Sequence, residues 1–326
     1  MMRIKRLFFW ALAVLLLCPA NAQQRMRVVI DNDFAGDPDG LFALAQLMRS
    51  PSVDVRAIIG SHLHEGENWT AKGKPSATTA VANVHALLEK MQLSVACTIA
   101  EGSNVALADT LTPIVSAATA AIIKEAEKCT AKAPLYVLCG GGLTEIASVW
   151  MMRPDLADRM TVVWIGGAEY PGFIAPPGVR GGEYNTTIDV KAAQVVFNRS
   201  NLTLWQIPRN AYRQCLISRS VLHCRLEGAR PEATYLADML EPYIGLGMRS
   251  ESYVLGDSPL VLVTALQSNW ERDACSSAYT MRPCPTVDDR GHYHFGANRR
   301  NIKVFDRLDT YLMFEDMFAK FKTNAE

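Results

Sequence analysis

The stretch Val28-Val29-Ile30-Asp31-Asn32-Asp33-Phe34-Ala35-Gly36-Asp37-Pro38-Asp39-Gly40-Leu41 decides how the rest of the chain reads. It opens as a short apolar, β-branched run, the pattern of a buried strand. Four carboxylates follow at once: Asp31, Asp33, Asp37 and Asp39. From Leu41 to Met48 the pattern is helical, with Asp37 placed to cap the helix and Pro38 at its first position. Carboxylates at the C-terminal end of a strand lie where open α/β sheets hold their ligands. Packed this closely they repel unless a positive charge sits among them. Hard oxygen donors suit Ca²⁺ or Mg²⁺. A capped helix after a solvated turn accounts for Asp37, but it leaves Asp31 and Asp33 unexplained.

Upstream, Arg3, Lys5 and Arg6 precede an apolar run, Leu7 to Cys18, that is too short to span a bilayer. Ala20-Asn21-Ala22 fits the small-x-small cleavage rule, so residues 1–22 read as a signal peptide and the mature chain as exported, periplasmic or secreted. Leu17 stands where a lipoprotein signal needs a small residue, which argues against a lipid anchor. No later run is apolar enough for a membrane span. The rest, residues 23–326, suits a single α/β domain. The full chain carries 33 basic and 33 acidic residues; without Arg3, Lys5 and Arg6 the balance is slightly negative. With no Lys/Arg stripe, nucleic acid is not the expected partner. Cys215/Cys224 and Cys275/Cys284 are close enough in sequence to close small loops in an oxidising compartment. The sequence leaves room for a homo-oligomer without specifying one.

Downstream, strand-like runs at Val53–Ile59, Leu135–Cys139, Thr161–Ile165 and Leu202–Ile207 alternate with helical patterns. The helical patterns lie at Ala77–Met91, Ile114–Lys128, Thr144–Met152 and Val190–Asn198. This alternation predicts a doubly wound, mostly parallel open sheet with helices on both faces. The strand ends carry the polar residues. The loop from Gly60 to Trp69 offers Ser61, His62, His64 and Trp69 to a bound ring, while Glu65 and Glu67 read as solvated. Gly140-Gly141-Gly142 lets backbone approach a ligand closely before a helix. It lacks the spacing of a P-loop or a dinucleotide fold. Glu183 and Asn185, two apart, share a face in an extended segment and suit hydroxyl recognition. Asp257 precedes an apolar run, Leu260–Leu266. It reads equally as an N-cap or as a buried carboxylate in want of a cation.

Taken in order, five blocks resemble the nucleoside hydrolase (inosine–uridine N-ribohydrolase) family. They are Ile30-Asp31-Asn32-Asp33 with its following aspartates, Ala57-Ile58-Ile59-Gly60, Gly141-Gly142-Leu143-Thr144-Glu145-Ile146-Ala147, Val163-Trp164-Ile165-Gly166-Gly167, and Glu183-Tyr184-Asn185-Thr186-Thr187-Ile188-Asp189. Asp257-Ser258-Pro259 then falls where the family has its late aspartate. The resemblance implies one Ca²⁺ held by Asp33, Asp39, the Thr144 backbone carbonyl and Asp257. It implies that Asp33 deprotonates the water that attacks the anomeric carbon, and that Asp37, Glu183 and Asn185 bind sugar hydroxyls. The implied substrate is a nucleoside or similar small riboside.

Three departures stand out. The family reads Asp-x-Asp-Pro-Gly-x-Asp-Asp, whereas Pro38 here separates Asp37 from Asp39, so these two could exchange roles. Gly256 stands where many relatives have a His that protonates the leaving base. Ser61 stands where Asn is common. Two other readings compete with an N-glycosyl hydrolase: a noncatalytic metal- and sugar-binding protein of the same fold, and an aspartate-nucleophile phosphatase.

Overall fold

The structure is a computed structural model describing residues 25–173, 175–177, 182–245, 251–267, 277–296 and 300–322. The expected signal segment, residues 1–22, and Cys275 lie outside the described residues. Eight strands form the main sheet: β1 (Met26–Asn32), β2 (Val53–Gly60), β3 (Thr98–Glu101), β4 (Leu135–Cys139), β5 (Met160–Ile165), β6 (Thr203–Ile207), and later β9 (Ser277–Pro283) and β12 (Asn301–Leu308). Their order is β3-β2-β1-β4-β5-β6-β12-β9. All neighbours pair in parallel except β9, which runs antiparallel to β12 at the edge. Two short antiparallel pairs complete the strands: β7 (Leu216–Ser218) with β8 (Ser252–Val254), and β10 (Thr286–Val287) with β11 (Tyr293–His294).

The expected open, mostly parallel sheet is therefore present, and its cause is visible in β1. Successive strand residues point to opposite faces. Val28 and Ile30 join the core layer that contains Leu41, Phe42 and Leu44 of the Asp39–Met48 helix. Val29 joins the opposite layer with Ala118, Ile122 and Ile146. All three β1 residues are fully buried, which is why the run is uninterrupted by polar residues. Leu138 and Val137 split between the same two layers on β4.

Several local expectations are corrected. Asp37 does not cap the Asp39–Met48 helix; Pro38 holds the N-cap position and makes no side-chain cap bond. The run after Asp257 is helical only over Pro259–Leu262, with Ser258 at the N-cap, so Asp257 is not a cap either. The helix from Val190 ends at Gln194 and passes into a π-helical turn, Val195–Arg199. Cys215 is buried and Cys224 exposed, and both are free thiols. Among the described residues, no helix is long and apolar enough to cross a membrane.

Candidate active site

Strand order reverses between β1 and β4: the chain proceeds from β1 outward through β2 and β3, then returns to build β4, β5 and β6 on the other side. A crevice opens at the C-terminal edge at such a switch point. The segments after β1 and β4 meet there, and the Gly140 amide donates to the Asp31 carbonyl at 3.0 Å. A cavity of about 160 Å³ lies at this edge, lined by Asp33, Gly36, Asp37, Asp39, Leu63, Trp69, Gly140, Ile165, Glu183, Tyr184, Asn185, Tyr212, Gly256 and Asp257. Larger clefts of about 610 and 830 Å³ sit at the opposite edge around Arg25 and the strand starts, where no comparable set of carboxylates converges.

Three of the cavity aspartates have their own anchors. Asp257 is buried and accepts from Asn32 Nδ2 at 2.8 Å. Asp39 Oδ1 accepts from the Gly40 amide at 2.7 Å and Oδ2 from the Asp257 amide at 3.2 Å. Asp37 accepts from the Tyr253 hydroxyl, which the short β7–β8 pair brings in. Burial raises the pKa of Asp33 well above the carboxylate range, and the charges of Asp257 and Asp37 raise it further. Asp39 is raised in the same way, by burial first and then by Asp257, Asp37 and Asp33. Asp257 is pushed up to about 8, mainly by burial. Asp37 is raised by burial, against the Tyr253 hydrogen bond. Among the described residues lining the cavity there is no Lys, Arg or His to relieve this repulsion.

The glycines after β4 make room for these side chains rather than for a ligand alone. A Cβ on Gly140 would stand 2.0 Å from Asn32 Nδ2 and 2.6 Å from Asp257 Oδ2. One on Gly141 would press on the Asp33 carboxyl carbon at 3.1 Å. Gly140→Ala is therefore expected to break the Asn32–Asp257 contact and to destabilise the fold by about 1–3 kcal/mol, as overpacking does. Urea denaturation measures it; an unchanged midpoint would mean the crevice is looser than described.

Glu183 and Asn185 do share the cavity, but not through an extended segment. Glu183 is the N-cap of the Tyr184–Ile188 helix, and Asn185 lies in its first turn. Glu183 accepts from the Asn185, Thr186 and Gly167 amides and from the Thr186 and Tyr212 hydroxyls. Asn185 Nδ2 donates to the Gly140 and Ile165 carbonyls, at 3.1 and 2.8 Å. Both amide hydrogens are thus engaged, and the amide oxygen is the atom left for a hydroxyl donor.

Four other expected residues divide. Trp69 lines the cavity, and its backbone amide donates to the Ala35 carbonyl, fastening the loop over the Asp33–Asp39 turn. His64 stays just outside, edge-on to Tyr184 with ring centroids 4.8 Å apart. His62 is buried behind the cavity: Nδ1 meets the Leu63 carbonyl at 2.7 Å and Nε2 the Thr144 hydroxyl at 2.9 Å. Ser61 is buried beside Asp31, and among the described residues neither side chain completes a well-formed hydrogen bond. Thr144 is not among the cavity residues. It opens the Thr144–Met152 helix, and its hydroxyl donates to Asp189 at 2.7 Å. Asp31, with Glu145, forms a second buried acidic group on this rear side, both raised by burial. Residues that sequence reasoning missed are Asn32, Tyr212 and Tyr253. Asn32 sits between two aspartates and Tyr253 a turn before Asp257, but they donate to the distant Asp257 and Asp37; Tyr212, which donates to Glu183, has no such neighbour as a signal.

The donor chemistry fits a hard divalent cation: Asp33, Asp39 and Asp257 are oxygen donors facing one cavity without a cationic partner. Among the described residues, no three acidic, His or Cys side chains are already drawn together as a closed metal cage.

Comparison with known proteins bears on the family and the fold. The family model described as inosine-uridine preferring nucleoside hydrolase matches residues 28–315. An inosine-uridine preferring nucleoside hydrolase of Leishmania major is 34% identical over 106 residues, 32% of this chain and 32% of that protein. The match thus spans about a third of that relative's length. A plant nucleoside hydrolase structure superposes with a TM-score of 0.70 at 15% identity, covering 92% of this chain and 100% of that one. A purine-preferring ribonucleoside hydrolase from Gardnerella vaginalis gives 0.70 at 17%, covering 91% and 98%. At such identities the structures speak for the fold.

Proposed function

The chain belongs to the inosine-uridine preferring nucleoside hydrolase family, and on that premise we propose that it hydrolyses the N-glycosidic bond of nucleosides or similar ribosides, with Asp33 as general base. The observation that carries the reading is the meeting of Asp33, Asp37, Asp39 and Asp257 with Glu183 and Asn185 in one cavity. Asp33 takes the proton from a water that attacks the anomeric carbon on the face opposite the base, and the bond to the base breaks through an oxocarbenium-like transition state. Asp37 and the Asn185 amide oxygen hold sugar hydroxyls. Glu183, already accepting five hydrogen bonds, fixes the helix turn that presents Asn185. Asp33, Asp39 and Asp257 would hold a Ca²⁺ ion. When bound, Ca²⁺ supplies a lowered water pKa and a positive charge for sugar oxygens. The Thr144 backbone carbonyl is the fourth donor in this reading, while the Thr144 hydroxyl is committed to Asp189.

Export after Ala22 belongs to the same reading, and the substrate is then a small molecule met outside the cytoplasm. A noncatalytic sugar-binding protein remains the second reading, favoured by Gly256 in place of an acid. An aspartate-nucleophile phosphatase does not fit the family. The test is incubation of the mature chain with a nucleoside panel, with and without chelator, assaying released sugar. Binding without release would favour the second reading.

Asp37→Ala is expected to raise KM about tenfold or more while leaving kcat within a fewfold, the pattern of a lost ground-state contact. Steady-state kinetics beside Asp39→Ala decide the assignment. If Asp37→Ala abolishes turnover and Asp39→Ala only raises KM, the two have exchanged roles across Pro38.

A further inference from the structure

The Glu67–Tyr184 hydrogen bond ties the sugar-binding turn to the loop that covers the cavity, beside a longer Thr187–His64 contact of 3.4 Å. Tyr184 lies between Glu183 and Asn185 and lines the cavity. Its hydroxyl donates to Glu67 Oε2 at 2.6 Å, 117 residues away in sequence. Its ring is held from two further sides, by His64 edge-on and by Trp69 with centroids 5.8 Å apart. Trp69 in turn meets Tyr243 at 6.4 Å, so an aromatic wall borders the mouth beside the sugar site. Neither Glu67 nor Tyr184 has a part in activating water or holding a cation.

A phenol has one proton to donate and an oxygen that can also accept. Here the proton is committed to a carboxylate, a charge-assisted bond that leaves the phenol oxygen an enriched acceptor. We propose that Tyr184, oriented by Glu67, selects the base: its oxygen accepts a hydrogen bond from an N–H donor on the base edge, an exocyclic amino group or a ring imide. Tyr184 is then a specificity-determining residue and Glu67 its positioning residue. This inference rests on the hydrolase reading for the orientation of the ligand, with the sugar at the aspartates and the base toward Tyr184 and Trp69. Sites built to pair a polar group reject an analogue that lacks it, because the protein group is left without a partner.

The test compares nucleosides that differ by one amino group, adenosine with purine riboside and cytidine with 2-pyrimidinone riboside. The ratio of kcat/KM within each pair is measured for the parent, Tyr184→Phe, Glu67→Ala and Glu67→Gln. Tyr184→Phe is expected to lower the amino-over-deamino ratio about three- to tenfold, the effect of one lost hydrogen bond. Glu67→Ala lowers it similarly. Glu67→Gln, which keeps an oxygen for the tyrosine proton, restores most of it. A structural role alone would change both members of a pair alike. Ratios that stay at the parent value in Tyr184→Phe overturn the proposal. Release of p-nitrophenol from p-nitrophenyl riboside, which has no such donor, reports the hydrolytic centre separately. Cleavage of that compound with no discrimination within either pair sinks base selection and spares the hydrolase. If no riboside is cleaved, the hydrolase reading fails instead, and the same pairs compared by calorimetric binding decide Tyr184: equal affinities overturn it, a preference lost in Tyr184→Phe supports it.

Discussion

Asp33→Ala is expected to lower kcat on nucleosides by about 10²–10⁴-fold, the contribution of a positioned general base. Three observations set Asp33 apart from its neighbours. It follows directly on β1, the strand beside the switch point. Its carboxyl packs against the Gly141 position, where no side chain intervenes. It has no tyrosine partner comparable to Tyr253 on Asp37. Asp33→Asn separates the base role from packing, since it keeps shape and hydrogen-bonding capacity but cannot take a proton. Both variants should melt near the parent temperature in chelator, because removing one of several repelling carboxylates relieves strain in the metal-free fold. Full turnover in Asp33→Ala would end the mechanism as written, whichever cation the site takes.

Removal of Ca²⁺ by EGTA is expected to lower the melting temperature of the mature chain by roughly 5–15 °C. A ligand that binds only the folded state stabilises it by about 2.7 kcal/mol at a hundredfold excess over Kd, and by about 4.1 kcal/mol at a thousandfold. The effect should depend on pH in a defined direction. In the metal-free fold Asp33, Asp39 and Asp257 all have raised pKa values, Asp257 at about 8. Between the ordinary carboxylate range, about 4, and these folded values, the folded state binds more protons than the unfolded one. Stability in EGTA is therefore greatest at the acid end of this window and falls as pH rises through about 8. Ca²⁺ competes with those protons, so the gap between the Ca²⁺ and EGTA melts widens over the same window. Coincident melting curves at every Ca²⁺ concentration and pH would remove the metal from the site.

Much of the fold is legible in the sequence because its causes are local. Leu135–Cys139 and Thr144–Met152 carry the bounds that their patterns predict. Short or edge elements are less legible. β3 has only four residues, Thr98–Glu101, too few for an alternation to show, and β9 pairs with a partner that comes later in the chain. The site is half legible. Asp33, Asp37, Asp39, Glu183, Asn185, Trp69 and Asp257 do gather in one cavity, whereas the His62 ring is bound behind it to the Thr144 hydroxyl and Ser61 is buried outside its lining.

The sequence by itself determined the parallel sheet and which polar residues crown its C-terminal edge. Strand propensity, helix periodicity and turn chemistry are written within a dozen residues. Only the tertiary structure decided which crowning residues face the cavity, and with what partners. Asp37 and Asp257 satisfy a capping pattern as well as they satisfy a buried site. The choice was made by Tyr253 and Asn32, 216 and 225 residues away. Glu67 reads as a solvated loop charge until Tyr184 arrives from 117 residues downstream. A hydrogen bond depends on the final placement of both its ends, and that placement is set by how distant segments pack on the two faces of the sheet.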